Sequence, residues 1–179
     1  REDLTVTPEE ILRTWVKEAS VIDPEDYNAM CLSTVNSVGM PSGRIVLLRA
    51  IENDGLRFFT NYMSSKGRDI AANPSVGLTL FWKEMERQVR VSGTAIRLTA
   101  EESDAYFASR PRSSQIGAWA SQQSQPHEHE ELLKRIKELE KEYKDSSSIP
   151  RPNHWGGFRV EITSCEFWQG RPNRLHHRW

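Results

Sequence analysis

The sequence predicts a mainly β chain with flanking helices, an α+β protein built on an antiparallel sheet or barrel, and three observations predict it. Five β-rich segments follow one another between residues 29 and 98. Turn-forming stretches of hairpin length, "NSVG", "NDG" and "NPS", separate successive segments. Most of the links hold no helix of the length that a parallel crossover needs, so a doubly wound parallel sheet is disfavoured.

The first element is a helix within residues 1–20. In "TPEEILRTWVKEA" Thr7 is an N-cap, Pro8 takes the first helical position, and Glu10 completes a capping box. Ile11, Leu12, Trp15 and Val16 then share one face, which should lie on something larger. The strands "AMCLSTV" (29–35), "RIVLLRAI" (44–51), "LRFFTN" (56–61), "VGLTLFW" (76–82) and "RQVRVSGTAIRL" (87–98) are rich in β-branched and aromatic residues. One short helix, "SKGRDIAA" (65–72), interrupts them. "TAEESDAYFASR" opens with a second capping box, Thr99 to Glu102, and "SSQIGAWAS" extends that helix after a break at Pro111. "HEHEELLKRIKELEKEYKD" places Leu132, Leu133, Ile136, Leu139 and Tyr143 on one stripe among charges, a surface helix over 126–145. "SSSIPRPNHWGG" is a loop by composition, and "FRVEITSCEFW" (158–168) alternates as a final strand.

With 179 residues the chain has the length of one domain, expected to span 1–179. No apolar run approaches the roughly 18 residues that cross a bilayer, so no membrane partner is expected. A formal net charge of -1 argues against the broad basic surface of a nucleic-acid binder, and any anion must be held locally. Cys31 and Cys165 are far apart and form no C-x-x-C pair, which suggests neither a disulfide framework nor a thiolate zinc site and fits a reducing, cytoplasmic setting. The opening "REDLTV" lacks the apolar core of a signal peptide. His127 and His129, two apart at a helix start, point to different faces, so no metal is expected there. Dinucleotide, P-loop, serine-hydrolase and zincin motifs are missing.

What remains is a set of cations and polar groups on strands and loops: Arg44, Arg49, Lys66, Gln88, Tyr106, Arg110, Ser114, Gln123, Ser124, Arg174, His176 and Arg178. Arg44 and Arg49 are an odd number of positions apart, so in a regular strand they face opposite sides unless a bulge or strand end intervenes. Tyr106 and Arg110 are i and i+4 on the helix after Thr99, with Ser114 just past Pro111, and a phenol, a guanidinium and a hydroxyl suit a phosphate. The same trio reads equally as a helix end with Arg110 at its C-terminal dipole. The closing "FWQGRPNRLHHRW" crowds planar rings and cations into a tail and points to a flat, anionic ligand.

Taken in order, "SGRIVLLRAI", "FFTNYMSSKG", "RQVRVSG", "YFASRPRSSQIGAWASQQS" and "EFWQGRPNRLHHR" closely resemble the pyridoxine 5′-phosphate oxidase family, which makes pyridoxal 5′-phosphate. The resemblance runs from the first helix to the last residue. It implies an antiparallel FMN-binding split β-barrel and a homodimer with FMN at the interface, contacted by both chains. Carried onto matching positions, the FMN contacts are Arg44, Ile45, Val46, Leu47, Phe59, Thr60, Ser65, Lys66, Gln88, Gln123, Ser124, Trp168 and Arg178. The substrate site is Arg49, Tyr106, Arg110 and Ser114 around the phosphate, with Arg174, Leu175 and His176 beside the pyridine ring. The implied reaction oxidises pyridoxine 5′-phosphate or pyridoxamine 5′-phosphate to the aldehyde, with oxygen reduced to hydrogen peroxide. Arg174 is expected to orient and polarise the substrate, and His176 to supply a polar contact or handle a proton.

Three positions depart from the family pattern: Arg49 stands where a Lys is usual, Ser65 where an Arg is usual, and His177 where an Asp is usual. A planar guanidinium aims differently from an ammonium, and Ser65 takes one cation from the FMN phosphate. The resemblance also implies a further C-terminal strand beyond Trp179. Two other readings compete: a related FMN oxidase of another substrate, such as the phenazine type, and a non-catalytic binder of FMN or pyridoxal phosphate.

Overall fold

The computed structural model describes residues 6–121 and 129–179. Helix α1 (Pro8–Ile22) begins with the expected capping box: the Glu10 N–H donates to Thr7 Oγ1 at 3.3 Å, and the Thr7 N–H donates to Glu10 Oε2 at 2.8 Å. Leu12 and Ala19 on its inner face are fully buried. The strands are β1 (Ala29–Val35), β2 (Pro41–Leu47), β3 (Ala50–Glu52), β4 (Gly55–Asn61), β5 (Ser75–Trp82), β6 (Arg87–Arg97), β7 (Trp155–Gln169) and β8 (His177–Arg178). The remaining helices are α2 (Ser65–Ala72), α3 (Ala100–Ser109), α4 (Arg112–Ala120) and α5 (His129–Glu142). The sheet runs β2-β1-β5-β6-β7-β4-β3, with β8 also on β7, and β1–β2, β1–β5, β3–β4, β5–β6 and β7–β8 pair antiparallel. No helix among the described residues is long and apolar enough to cross a membrane.

The expected strand over 44–51 is two strands. The Leu48 N–H still bonds the Asn28 carbonyl on the β1 side at 2.8 Å, but the next N–H, of Arg49, bonds the Arg57 carbonyl of β4 at 2.9 Å. The chain changes partner between two adjacent residues, which an unbroken apolar run conceals. The segment after Pro111 is also a helix of its own, because a residue before proline is pushed out of the helical region. Arg110 accordingly caps α3 in an extended conformation, φ -74° and ψ 151°, so it does not share a helical face with Tyr106. Along α5, Leu139 is buried and Leu132, Ile136 and Tyr143 pack against the same core, whereas Leu133 turns outward. The strand expected to be final is followed by β8.

The residues group into two compact units. The first holds the described residues up to Phe58, with Asp69–Ile96 and Phe158–Trp179. The second holds Phe59–Arg68 and the described part of Arg97–Gly157. In the first, α1 covers one face of the sheet: Trp15 meets Trp82 and Phe167 edge-on at 6.4 and 5.2 Å between ring centroids. In the second, Phe107, Ile116, Ala118, Ala120, Leu139, Ile149 and Trp155 form the core under α3, α4 and α5. Gly156 has no room for a side chain, since a Cβ there would sit 2.2 Å from the Tyr62 hydroxyl, which donates to the Gly157 carbonyl.

Candidate functional site

Strand pairing decides which way each expected ligand residue points in the first unit. Directly opposed residues share a face. Arg44 opposes Leu32, which opposes Leu78, and both leucines are fully buried, so Arg44 lies on the α1-covered face. Val46 opposes the buried Met30 on that face too. Ile45 opposes Cys31, which opposes Thr79, and this row lies on the other, bare face, where Ile45 is 67% exposed. Leu47 is on the same bare face by alternation.

Gln88 opposes Phe81, itself 59% exposed, and so belongs to the bare face. The neighbouring Arg87 turns to the covered face, where its Nε donates to Gln169 Oε1 at 2.7 Å. One step along each strand reverses the direction, so Trp168 joins Gln88 on the bare face. Arg178 opposes Trp168 across β7 and β8, an indole beside a guanidinium. An ion pair on the same face, Arg90 to Glu166 at 3.3 Å, agrees with this assignment.

Arg44 is held tightly where it lies. Its guanidinium donates to Thr34 Oγ1 at 2.5 Å and Ser42 Oγ at 2.7 Å, and Thr34 in turn donates to Asp69 Oδ2 at 2.7 Å. Asp69 stands 3.7 Å from the guanidinium and offsets part of its charge. Asp69, Thr34 and Ser42 were not among the expected site residues; only the fold brings them to Arg44. Arg49, in the link between β2 and β3, is exposed and lines a cleft of about 270 Å³ with Arg13, Lys17 and Tyr27, within the first unit. Its opposition to Arg44 by strand parity does not apply, because β2 has ended.

In the second unit Tyr106, Arg110 and Phe59 gather around Trp155. The Arg110 guanidinium carbon lies 4.4 Å from the Trp155 ring centroid. Phe59 stacks on Tyr106 at 3.7 Å and on Trp155 at 5.6 Å. Ser114 is half-buried in the first turn of α4, with its N–H on the Pro111 carbonyl at 2.9 Å. Trp155 was absent from the expected set, although an indole ahead of a Gly-Gly pair in a polar loop is a signal that could have found it. Thr60 is buried, and Ser65 and Lys66 open α2. Gln123 and Ser124 lie outside the described residues.

The loop after β7 carries the remaining expected residues. Arg174 and Leu175 are exposed, and His176 is half-buried with its ring 4.6 Å from that of Trp168. Asn173 and Arg174 both take left-handed backbone, φ 60° and 59°. That conformation is tolerable for Asn and costs an Arg about 1 kcal/mol or more.

A family model described as pyridoxamine 5′-phosphate oxidase matches residues 19–142, and a second, described as the pyridoxine 5′-phosphate oxidase C-terminal dimerisation region, matches residues 155–179. The chain is 49% identical over 179 residues to the pyridoxine/pyridoxamine 5′-phosphate oxidase of Salinibacter ruber, covering 99% of this chain and 83% of that one. It is 53% identical over 165 residues to the enzyme of the same name from Rubrobacter xylanophilus, covering 92% and 76%. Among solved structures, PhzG of Burkholderia lata 383, in complex with tetrahydrophenazine-1-carboxylic acid, superposes with a TM-score of 0.91 at 30% identity, covering 99% of this chain and 87% of that one. A pyridoxamine 5′-phosphate oxidase-related, FMN-binding protein of Nostoc punctiforme shares the fold at a TM-score of 0.80 and 15% identity, covering 98% and 91%. The antiparallel, split-barrel fold expected from the sequence is the fold of these neighbours.

Proposed function

The chain belongs to the pyridoxamine 5′-phosphate oxidase family, and from that premise we propose that it is an FMN-dependent oxidase converting pyridoxine 5′-phosphate or pyridoxamine 5′-phosphate to pyridoxal 5′-phosphate. It works as a homodimer, in keeping with the dimerisation region over residues 155–179. The single observation that carries the arrangement of its site is the two-faced sheet. Arg44 is on the covered face, whereas Gln88, Trp168 and Arg178 are on the bare face. One flavin nucleotide cannot meet both sets from one copy, but two copies can each contribute one set.

The donor set suits that cofactor. Its phosphate carries roughly -1.5 to -2 charge; the family resemblance assigns Arg44 of the first unit to it, and, in the second, Lys66 with the opening of α2 offers a cation and backbone donors. Trp168 beside Arg178 offers a planar surface and a cation to the rest of the molecule. When bound, FMN would supply the two-electron acceptor for the oxidation, with oxygen reduced to hydrogen peroxide. The chain's own residues bind, orient and exclude water. Arg110, held against Trp155, Tyr106 and Ser114 grip the substrate phosphate; Arg174 orients the pyridine ring, and His176 makes a polar contact to it. Arg49 adds a cation to the substrate site. The two free cysteines suit the reducing cytoplasm, where we place the protein.

The relatives at 49% and 53% identity carry the vitamin B6 name, against 30% for PhzG, which favours the phosphorylated pyridine over a phenazine precursor. Purified protein supplied with FMN and pyridoxine 5′-phosphate should produce aldehyde and peroxide in equal amounts. FMN-loaded protein that gives no turnover with either phosphorylated substrate contradicts the proposal.

A further inference from the structure

Behind the bare face, the ends of β6 and β7 are fastened by one side chain. Gln169 accepts from Arg87 Nε at 2.7 Å, and its Nε2 donates to the carbonyls of Met85 at 3.1 Å and Glu86 at 3.4 Å. Arg87 is itself fixed, paired with Glu18 and lying 4.5 Å over the Trp15 ring. Glu86 has left-handed backbone, φ 50°, and its carbonyl also receives the Gly170 N–H at 2.6 Å. A Cβ on Gly170 would come within 2.8 Å of the Glu86 Cβ, so the two segments are in close contact.

The next N–H along the chain, that of Arg171, donates to Nδ1 of His176 at 3.1 Å. A backbone N–H can only donate, so Nδ1 must be the bare nitrogen of that imidazole, and in the neutral ring Nε2 carries the hydrogen. Trp168 packs the ring in place at 4.6 Å.

The geometry points to Gln169 as a positioning residue: by clamping Gly170 and Arg171 to the turn before β6, it holds His176 in the Nε2–H tautomer, as a hydrogen-bond donor to the substrate. The clamp lies on the covered face, turned away from Trp168 and Arg178, and acts only through His176. Its role in catalysis rests on the proposed oxidase activity; the tautomer itself does not.

The test is long-range proton–nitrogen correlation on FMN-loaded protein labelled with ¹⁵N-histidine, at about pH 8, above the usual imidazole titration. The His176 signals are assigned by their loss in His176→Gln. The wild type should show hydrogen on Nε2 alone, and Gln169→Ala should show both tautomers. With pyridoxine 5′-phosphate, kcat of Gln169→Ala should fall about tenfold, roughly the worth of one hydrogen bond, with KM for substrate within about twofold because the phosphate grip is elsewhere. Gln169→Glu keeps the Arg87 contact but sets a carboxylate against the Met85 and Glu86 carbonyls, and should mix the tautomers likewise if the alanine variant does not fold. Hydrogen on Nδ1 in the wild type, or an unchanged tautomer and kcat in the variants, overturns the inference. A wild type that shows the Nε2–H form but no turnover leaves the clamp standing and removes the proposed function instead.

Discussion

The two faces of the first unit's sheet are built from the same strands and follow different rules. On the α1-covered face the side chains are settled: Leu32, Leu78 and Leu80 are fully buried, and even the charged Arg44 is held by hydrogen bonds to Thr34 and Ser42. On the bare face Ile45, Leu47 and Phe81 remain exposed, on the same side of the sheet as Gln88, Trp168 and Arg178. Apolar side chains left uncovered next to aromatic and cationic ones mark a surface that another molecule completes. The covered face holds the protein together, and the bare face is the one we assign to a second copy and to the flavin.

Substitutions on one strand pair but opposite faces should therefore fail differently. Ile45→Asp places a charge on the bare face and is expected to give folded monomer in sedimentation experiments, with FMN affinity down by about a hundredfold or more because half of each site leaves with the partner. Leu32→Ala opens a cavity on the covered face; it should lower folding stability by about 2–5 kcal/mol in denaturant titrations while the surviving folded protein stays dimeric. If Ile45→Asp remains a dimer with normal FMN binding, the distinction between the faces is wrong.

Arg44 tests the exception, a covered-face residue assigned to the cofactor. Arg44→Ala should weaken FMN binding by roughly tenfold or more, since about 1.4 kcal/mol is one decade, as measured by flavin fluorescence quenching. Asp69→Asn removes the carboxylate 3.7 Å from that guanidinium and should tighten FMN by a few-fold. Weaker binding in Asp69→Asn would mean that orientation of Arg44 outweighs its charge.

The smallest effect concerns a thiol. Cys165 shares the covered face with Phe167 by strand alternation; burial, with a further push from the Glu9 carboxylate, raises its pKa from 9.0 to about 11. It should resist alkylation near neutral pH. Because the folded protein holds this proton more tightly than the unfolded chain, stability should fall as pH rises from about 9 towards 11. Cys165→Ser should flatten that decline, as followed by thermal melts across the range.

Local chemistry was legible in the sequence, and partner choice was not. Both capping boxes, at Thr7 and at Thr99, stand as read, because four consecutive residues contain all their parts. The split of 44–51 into β2 and β3 was hidden, since it depends on whether Asn28 or Arg57 supplies the opposing carbonyl. The extended backbone at Arg110 could have been read from the proline after it. Trp155 as the plane beneath Arg110, and Asp69 beside Arg44, are meetings across distant sequence that no spacing rule contains. The resemblance named the expected site residues, but only strand pairing divided those of the first unit between two faces.

That division is tested most directly by mixing two crippled copies. In dimers of one Arg44→Ala chain and one Arg178→Ala chain, one site receives both lesions and the other receives none. Titration of such mixed dimers should give one FMN bound per dimer with wild-type affinity, although neither parent homodimer has a wild-type site. Mixed dimers with no high-affinity site would mean that Arg44 and Arg178 of the same copy serve the same flavin, contrary to the two-faced sheet.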